Sequence, residues 1–250
     1  MRIQYTSVTA QGGRKENEDS IRIERDNDRY MFALADGLGS YGNGKTASSI
    51  AVDASAECFL SGSTEQNLLE RTVRLAQEKV LEKQKEDSEL SVMSTTLAVL
   101  YLEKNHAQWV HIGDSRVYFF QDDHLKDYTK DHSVPQLMVR LGEIRQDEVR
   151  GHPQQNQLLK VVGRAWTERP FSISKEYTLR GSEWFLLCSD GFWEYIVEEQ
   201  MEQCLRSSDT PEEWLRKMDK MAAVQASGTK RDNYSAICIR ISKEEEGERQ

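Results

Sequence analysis

Apolar residues along this chain fall into short runs and alternations, with only a few helical stretches. Residues 21–25, Ile-Arg-Ile-Glu-Arg, alternate with the period of a strand. Residues 30–35, Tyr-Met-Phe-Ala-Leu-Ala, are apolar throughout, as in a strand buried on both faces. Residues 44–60 then set Ala47, Ile50, Ala51, Ala54 and Cys58 at helical spacing. Thr64 can cap a longer helix to about residue 85, with Leu69, Val73, Ala76 and Val80 on one face. From residue 94 the period returns to two. Segments 95–102, 106–112, 117–120 and 124–128 read as short strands parted by polar turns such as Glu103-Lys104-Asn105 and Gln121-Asp122-Asp123. Residues 134–165 read as helical and more polar, punctuated by Gly142, Gly151-His152-Pro153 and Gly163. Strands resume at 171–179, 184–188 and 236–241, with helices over about 193–206 and 211–226 between the last two.

This order lacks a regular βαβ alternation, so a doubly wound parallel sheet is not expected. Clustered antiparallel strands with segregated helices predict an α+β layered fold, with 134–165 inserted into it. The chain shows no internal repeat, and its four prolines stand far apart. One domain over 1–242 is therefore expected, followed by a charged tail, 243–250, without apolar anchors and expected to be disordered.

Composition narrows the function. With 33 Lys+Arg against 42 Asp+Glu, the 250-residue chain carries a formal charge of -9. Polyanions would repel it, which argues against nucleic acid and against anionic membrane surfaces as partners. The four cysteines have no CxxC spacing, a pattern that fits a reducing compartment. The N-terminus lacks a signal-peptide run, and the longest strongly apolar stretch, 97–102, is far below the ~20 residues of a membrane span. A cytoplasmic protein is expected.

The placement of the acids is more informative than their number. Asp36 ends an apolar run and is followed by Gly37; Asp114 follows Gly113 at the end of another; Asp190 ends 184–188 and is followed by Gly191. Glu18 and Asp19 precede the strand at Ile21, and Asp232 precedes the last strand. A lone Asp-Gly usually marks a turn. Repeated delivery of carboxylates by apolar strands points instead to one shared site, where like charges need a cation between them. Hard ions such as Mg²⁺ and Mn²⁺ take such oxygen ligands, and adjacent glycines permit close backbone approach.

The ordered motifs resemble the metal-dependent type 2C serine/threonine protein phosphatases of bacterial type. Arg14-Lys15-Glu16-Asn17-Glu18-Asp19 is similar to their opening motif, and Asp36-Gly37-Leu38-Gly39 to their second. Ser94-Thr95-Thr96, Gly113-Asp114-Ser115-Arg116, Asp131-His132-Ser133, Ser189-Asp190-Gly191 and Asp232-Asn233 follow in the family's order. The segment from Val134 to Gly163 resembles the bacterial flap.

The resemblance implies a four-layer αββα sandwich, two antiparallel sheets flanked by helices, with 134–165 as a mobile flap. It also implies two Mn²⁺ or Mg²⁺ ions per chain: Asp36 bridging both, Glu18 and the Gly37 carbonyl serving one, Asp190 and Asp232 the other. Asp114, Asp190 and Glu194 are the implied ligands of a third ion; Asp19 and Asn233 stand behind the ligands. Arg14 is the implied phosphate anchor, because a guanidinium matches phosphate oxygens two at a time. Arg116 is expected to pair with a local acid, and His132 and His152 to be structural. Phosphorylated proteins, substrates of a serine/threonine kinase, are the implied partners of a monomeric hydrolase. Many members carry a His in or just after the second motif, where this chain has Leu38 and Tyr41, so a non-catalytic phosphatase-like binding module is the alternative. Gly39-x-x-x-x-Gly44-Lys45-Thr46 formally matches a nucleotide phosphate loop, but the chain lacks the alternating βα units that such a loop needs.

Overall fold

Side-chain alternation within the apolar runs builds three cores from two sheets. The computed structural model describes residues 1–38, 43–61, 67–166 and 169–243. In β3 (Arg29–Leu38), Tyr30, Phe32 and Leu34 face one core, while Met31, Ala33 and Ala35 face another. β5 (Leu97–Glu103), β7 (Arg116–Gln121) and β11 (Ser182–Cys188) alternate in the same way. Continuous apolarity is what a strand needs when both of its faces are covered.

One sheet is ordered β1 (Arg2–Ala10), β12 (Tyr234–Ser242), β11, β7, β8 (His124–Tyr128). The other runs β10 (Tyr177–Thr178), β6 (His106–Ile112), β5, β3, β2 (Asp19–Asp26), with β4 (Ser94–Thr95) on β3 and β9 (Ser172–Ile173) on β6. Every pairing is antiparallel. The sheets meet through Phe32, Leu100, Trp109, Phe119, Phe185 and Ile239. α1 (Asn43–Leu60) and α2 (Leu68–Glu86) cover the outer face of the second sheet, and α2 does so with Leu69, Val73, Ala76 and Val80. α4 (Asp190–Trp193), α5 (Glu198–Arg206) and α6 (Pro211–Gln225) cover the first, with Trp193, Met201 and Trp214 buried there. The four-layer αββα arrangement follows.

Several expectations need correction. Residues 2–10 form β1, which the hydrophobic pattern did not announce. It pairs with β12 along its whole length, and as an edge strand it carries Gln4, Thr6, Ser7 and Thr9. Residues 134–165 are mostly turns, not helix. Only α3 (Val134–Leu141) and a short 3-10 turn, Gln146–Glu148, are helical. Gly142 stops α3 in the left-handed conformation, φ 75°, with its N–H on the carbonyls of Met138 and Val139. The run 171–179 breaks into β9 and β10, and the helix expected over 193–206 is α4 and α5 divided at 194–197. Thr64, Gly39 to Gly42 and all of the tail except Lys243 lie outside the described residues.

Candidate metal centre

Antiparallel register brings the acids to one end of the sandwich. Asp19 lies opposite Asp36 in the β2–β3 ladder, and Leu97 opposite Ile112 places the start of β5 beside the end of β6, next to Gly113 and Asp114. In the other sheet Cys188 faces both Arg116 and Ala236, so Asp114, Asp190 and Asp232 emerge at the same edge. Glu18, Asp36, Asp114, Asp190 and Asp232 line a cavity of about 180 Å³, with Arg14, Gly37 and Asn233. Asn156 and Leu158 of the insert close its wall. Those two residues were not candidates from sequence: neither ends an apolar run, and only the path of the insert brings them here.

Main-chain contacts hold this edge rigid. The Asp36 carbonyl accepts from Thr96 N–H at 2.9 Å and from Thr95 Oγ1 at 2.8 Å, while its N–H donates to Thr96 Oγ1 at 2.9 Å. Gly37 packs against Gly44 so closely that a Cβ would fall 2.1 Å from the Gly44 carbonyl oxygen. Gly44 N–H donates to Glu18 Oε1 at 3.1 Å. Asn233 staples the opening loop: its Oδ1 accepts from Glu18 N–H at 2.9 Å, and its Nδ2 donates to the carbonyls of Gln11 and Glu16, each at 2.8 Å.

Asp19 sits behind the cavity wall and is 1 % exposed. Ser189 Oγ donates to its Oδ2 at 2.8 Å, while its Oδ1, like Asp190 Oδ1, has no hydrogen-bond partner. Burial first, and neighbouring carboxylates second, push these acids upward: Asp190 to about 6 and Glu194 to about 8, with Asp36 and Asp114 well above the usual range. For Asp19, burial raises it to about 7 against the opposing hydrogen bond from Ser189. Each acid here would therefore gain from a cation. Arg14 pairs with Asp232, and Gln155 of the insert with Glu194. Among the described residues no three acidic side chains close on one point as a finished cage. The chemistry still fits a hard divalent ion: the donors are all oxygens, one of them, Asp190 Oδ1, is buried without a partner, and carboxylates kept this close favour a cation between them.

The other charged motif residues serve packing. Arg116 is 3 % exposed; its Nε and Nη2 donate to the two oxygens of Asp131, each at 2.8 Å, and its guanidinium lies 3.5 Å from the centre of a Trp193 ring. The Trp193 indole donates to the Asp114 carbonyl at 3.0 Å. His132 stacks on His111 with ring centres 4.5 Å apart, accepts from Gly113 N–H at 3.2 Å, and is held neutral, pushed down to about 2 chiefly by burial.

An α+β sandwich that gathers carboxylates and one arginine at a single sheet edge defines a class of oxygen-donor site suited to a divalent cation. Residues 10–230 match the protein phosphatase 2C family model, and the chain belongs to that family. It is 28 % identical over 234 residues to a serine/threonine phosphatase of Listeria innocua, covering 90 % of each chain. Its fold superposes on the crystal structure of the Mycobacterium tuberculosis serine/threonine phosphatase PstP with a TM-score of 0.83 and 26 % identity, covering 96 % of this chain and 99 % of that one. A second structure of the PstP catalytic domain, in complex with two manganese ions, is similar at a TM-score of 0.79 and 25 % identity, covering 96 % of this chain and 99 % of that one.

Proposed function

We propose that this chain hydrolyses phosphoserine and phosphothreonine monoesters on proteins with two bound Mn²⁺ or Mg²⁺ ions. The observation that carries the reading is the cavity in which Glu18, Asp36, Asp190 and Asp232 converge beside Arg14. Asp36 and the Gly37 carbonyl, with Glu18 on one side and Asp190 and Asp232 on the other, would hold the pair of ions. Asp114 and Glu194 flank Asp190 as donors for a third. Bound ions would supply Lewis acidity, lowering the pKa of a water and offsetting charge on the phosphoryl oxygens. Arg14 is half-exposed at the rim, where it can exchange Asp232 for the substrate's phosphate. Asp19 and Asn233 orient the ligand loops from behind. Neutral, half-buried His132 is unsuited to donating a proton, and Leu38 gives the cavity an apolar wall.

The reading extends to a single catalytic unit over 1–242 in which 134–165 serves as the flap, acting as a cytoplasmic monomer on the products of a serine/threonine kinase. No helix among the described residues is long and apolar enough to cross a membrane. The test is hydrolysis of a phosphothreonine peptide with Mn²⁺, with EDTA, and by Asp190→Asn. Turnover is expected only for the wild type with metal. Metal-independent turnover would overturn the mechanism, and no turnover by folded wild type would favour the non-catalytic binding module.

A further inference from the structure

A buried cation stands next to Asp232 without lining the acid cavity. Arg231 is only 8 % exposed. Its Nε donates to the Gly191 carbonyl at 2.9 Å, and its Nη1 reaches Asp219 of α6 at 3.3 Å. The guanidinium lies 3.4 Å from the centre of the Tyr234 ring, with Phe192 and Tyr195 at 6.0 and 5.8 Å. Its own carbonyl accepts from Gly13 N–H at 2.7 Å, in the turn that presents Arg14. One side chain and its peptide thus touch the loops of Arg14, Asp190 and Asp232.

Those loops leave no slack. A Cβ on Gly191 would fall 2.1 Å from the Asn233 carbonyl oxygen, and one on Gly12 would fall 2.1 Å from that of Asp232. Arg231 Nη2 is nevertheless buried without a partner. A desolvated charge with an unpaired corner is costly in a place chosen for stability alone. A planar fork can stack on an aromatic ring and hydrogen-bond in its own plane at once, which an ammonium cannot do.

We propose that Arg231 is a positioning residue that sets the separation between Asp190 and Asp232. It does so by tying the Gly191 carbonyl to the strand start at Tyr234. The inference rests on the metal-holding roles proposed above for those two acids. Loss of the tie lets the Asp190 loop drift from Asp232, so cation affinity falls while the sandwich stays folded.

Calorimetric titration with Mn²⁺ alone, without substrate, tests this on wild type, Arg231→Lys and Arg231→Ala, with thermal unfolding in EDTA measured in parallel. We expect the lysine variant to melt close to wild type yet bind Mn²⁺ on the order of tenfold more weakly, as for residues that orient metal ligands. The alanine variant should weaken binding further; where it fails to fold, the lysine variant decides. Wild-type Mn²⁺ affinity in Arg231→Lys overturns the proposal, as does a lowered melting temperature with unchanged affinity. A wild-type chain that takes up no Mn²⁺ overturns the phosphatase reading instead.

Discussion

At Gly37 the backbone of the acid-bearing strand runs against that of α1, with no room for a side chain. Alanine there must push Gly44, and with it the N–H that holds Glu18, out of place. We expect Gly37→Ala to lower stability by about 1–3 kcal/mol, the usual cost of overpacking, and to abolish phosphopeptide hydrolysis. Urea unfolding and activity assays check the two effects; an active variant of wild-type stability would show that this contact yields. At this scale the candidate acids were legible because each ends or adjoins an apolar run, and strand ends collect at sheet edges. Asn156, Leu158 and the clamp by Arg231 were not. They belong to turns whose sequence has no period, and their neighbours are remote in the chain.

The insert between β8 and β9 shows how an element is held in place by contacts outside itself. Residues 134–165 keep little regular structure, yet Arg150 docks them onto the helical layer. Its Nε donates to the Trp193 carbonyl at 3.0 Å, its Nη2 to the Ile196 carbonyl at 3.1 Å, and both Nη atoms reach Glu198 at 3.2 Å. Gln155 adds a bond to Glu194. Arg150→Ala leaves Glu198 half-buried with fewer partners and removes charge-assisted bonds, each worth about 1.5–3 kcal/mol. We expect faster proteolytic cleavage between residues 142 and 157, with little change in the protection of β11 and β12. Cleavage at the wild-type rate would show that the other contacts suffice. Helical periodicity could not reveal this. A loop fixed by side chains reaching another layer has polar, aperiodic sequence, and so has a helix end. β1 was missed for a related reason: none of its residues is fully buried, so few need to be apolar and its hydrophobic alternation is weak.

Over the whole molecule the acid cluster couples stability to pH and to cations. Asp19, Asp190 and Glu194 are pushed to about 7, 6 and 8, all above the ~4 of carboxyls in an unfolded chain. The folded chain therefore holds more protons than the unfolded chain between about pH 4 and 8. Its stability should fall as pH rises through that window. In EDTA the melting temperature should drop from pH 5 to 8.5; Mn²⁺ should flatten or reverse the slope, and Asp190→Asn should make it shallower. A melting temperature that rises with pH in EDTA would contradict this account of the cluster.

The formal charge of -9 says how many acids there are but not where they meet. The amino-acid order by itself determined most strands of both sheets, though not β1 or the break of 171–179 into β9 and β10, together with their two-sided burial and which carboxylates stand at strand ends. These follow from local periodicity, which each segment carries within itself. Only the tertiary structure decided that Asp36 and Asp190 line one cavity, that Asn156 closes it and that Arg231 spans three loops. Contacts of that kind depend on register between strands far apart in sequence, and no local pattern encodes it.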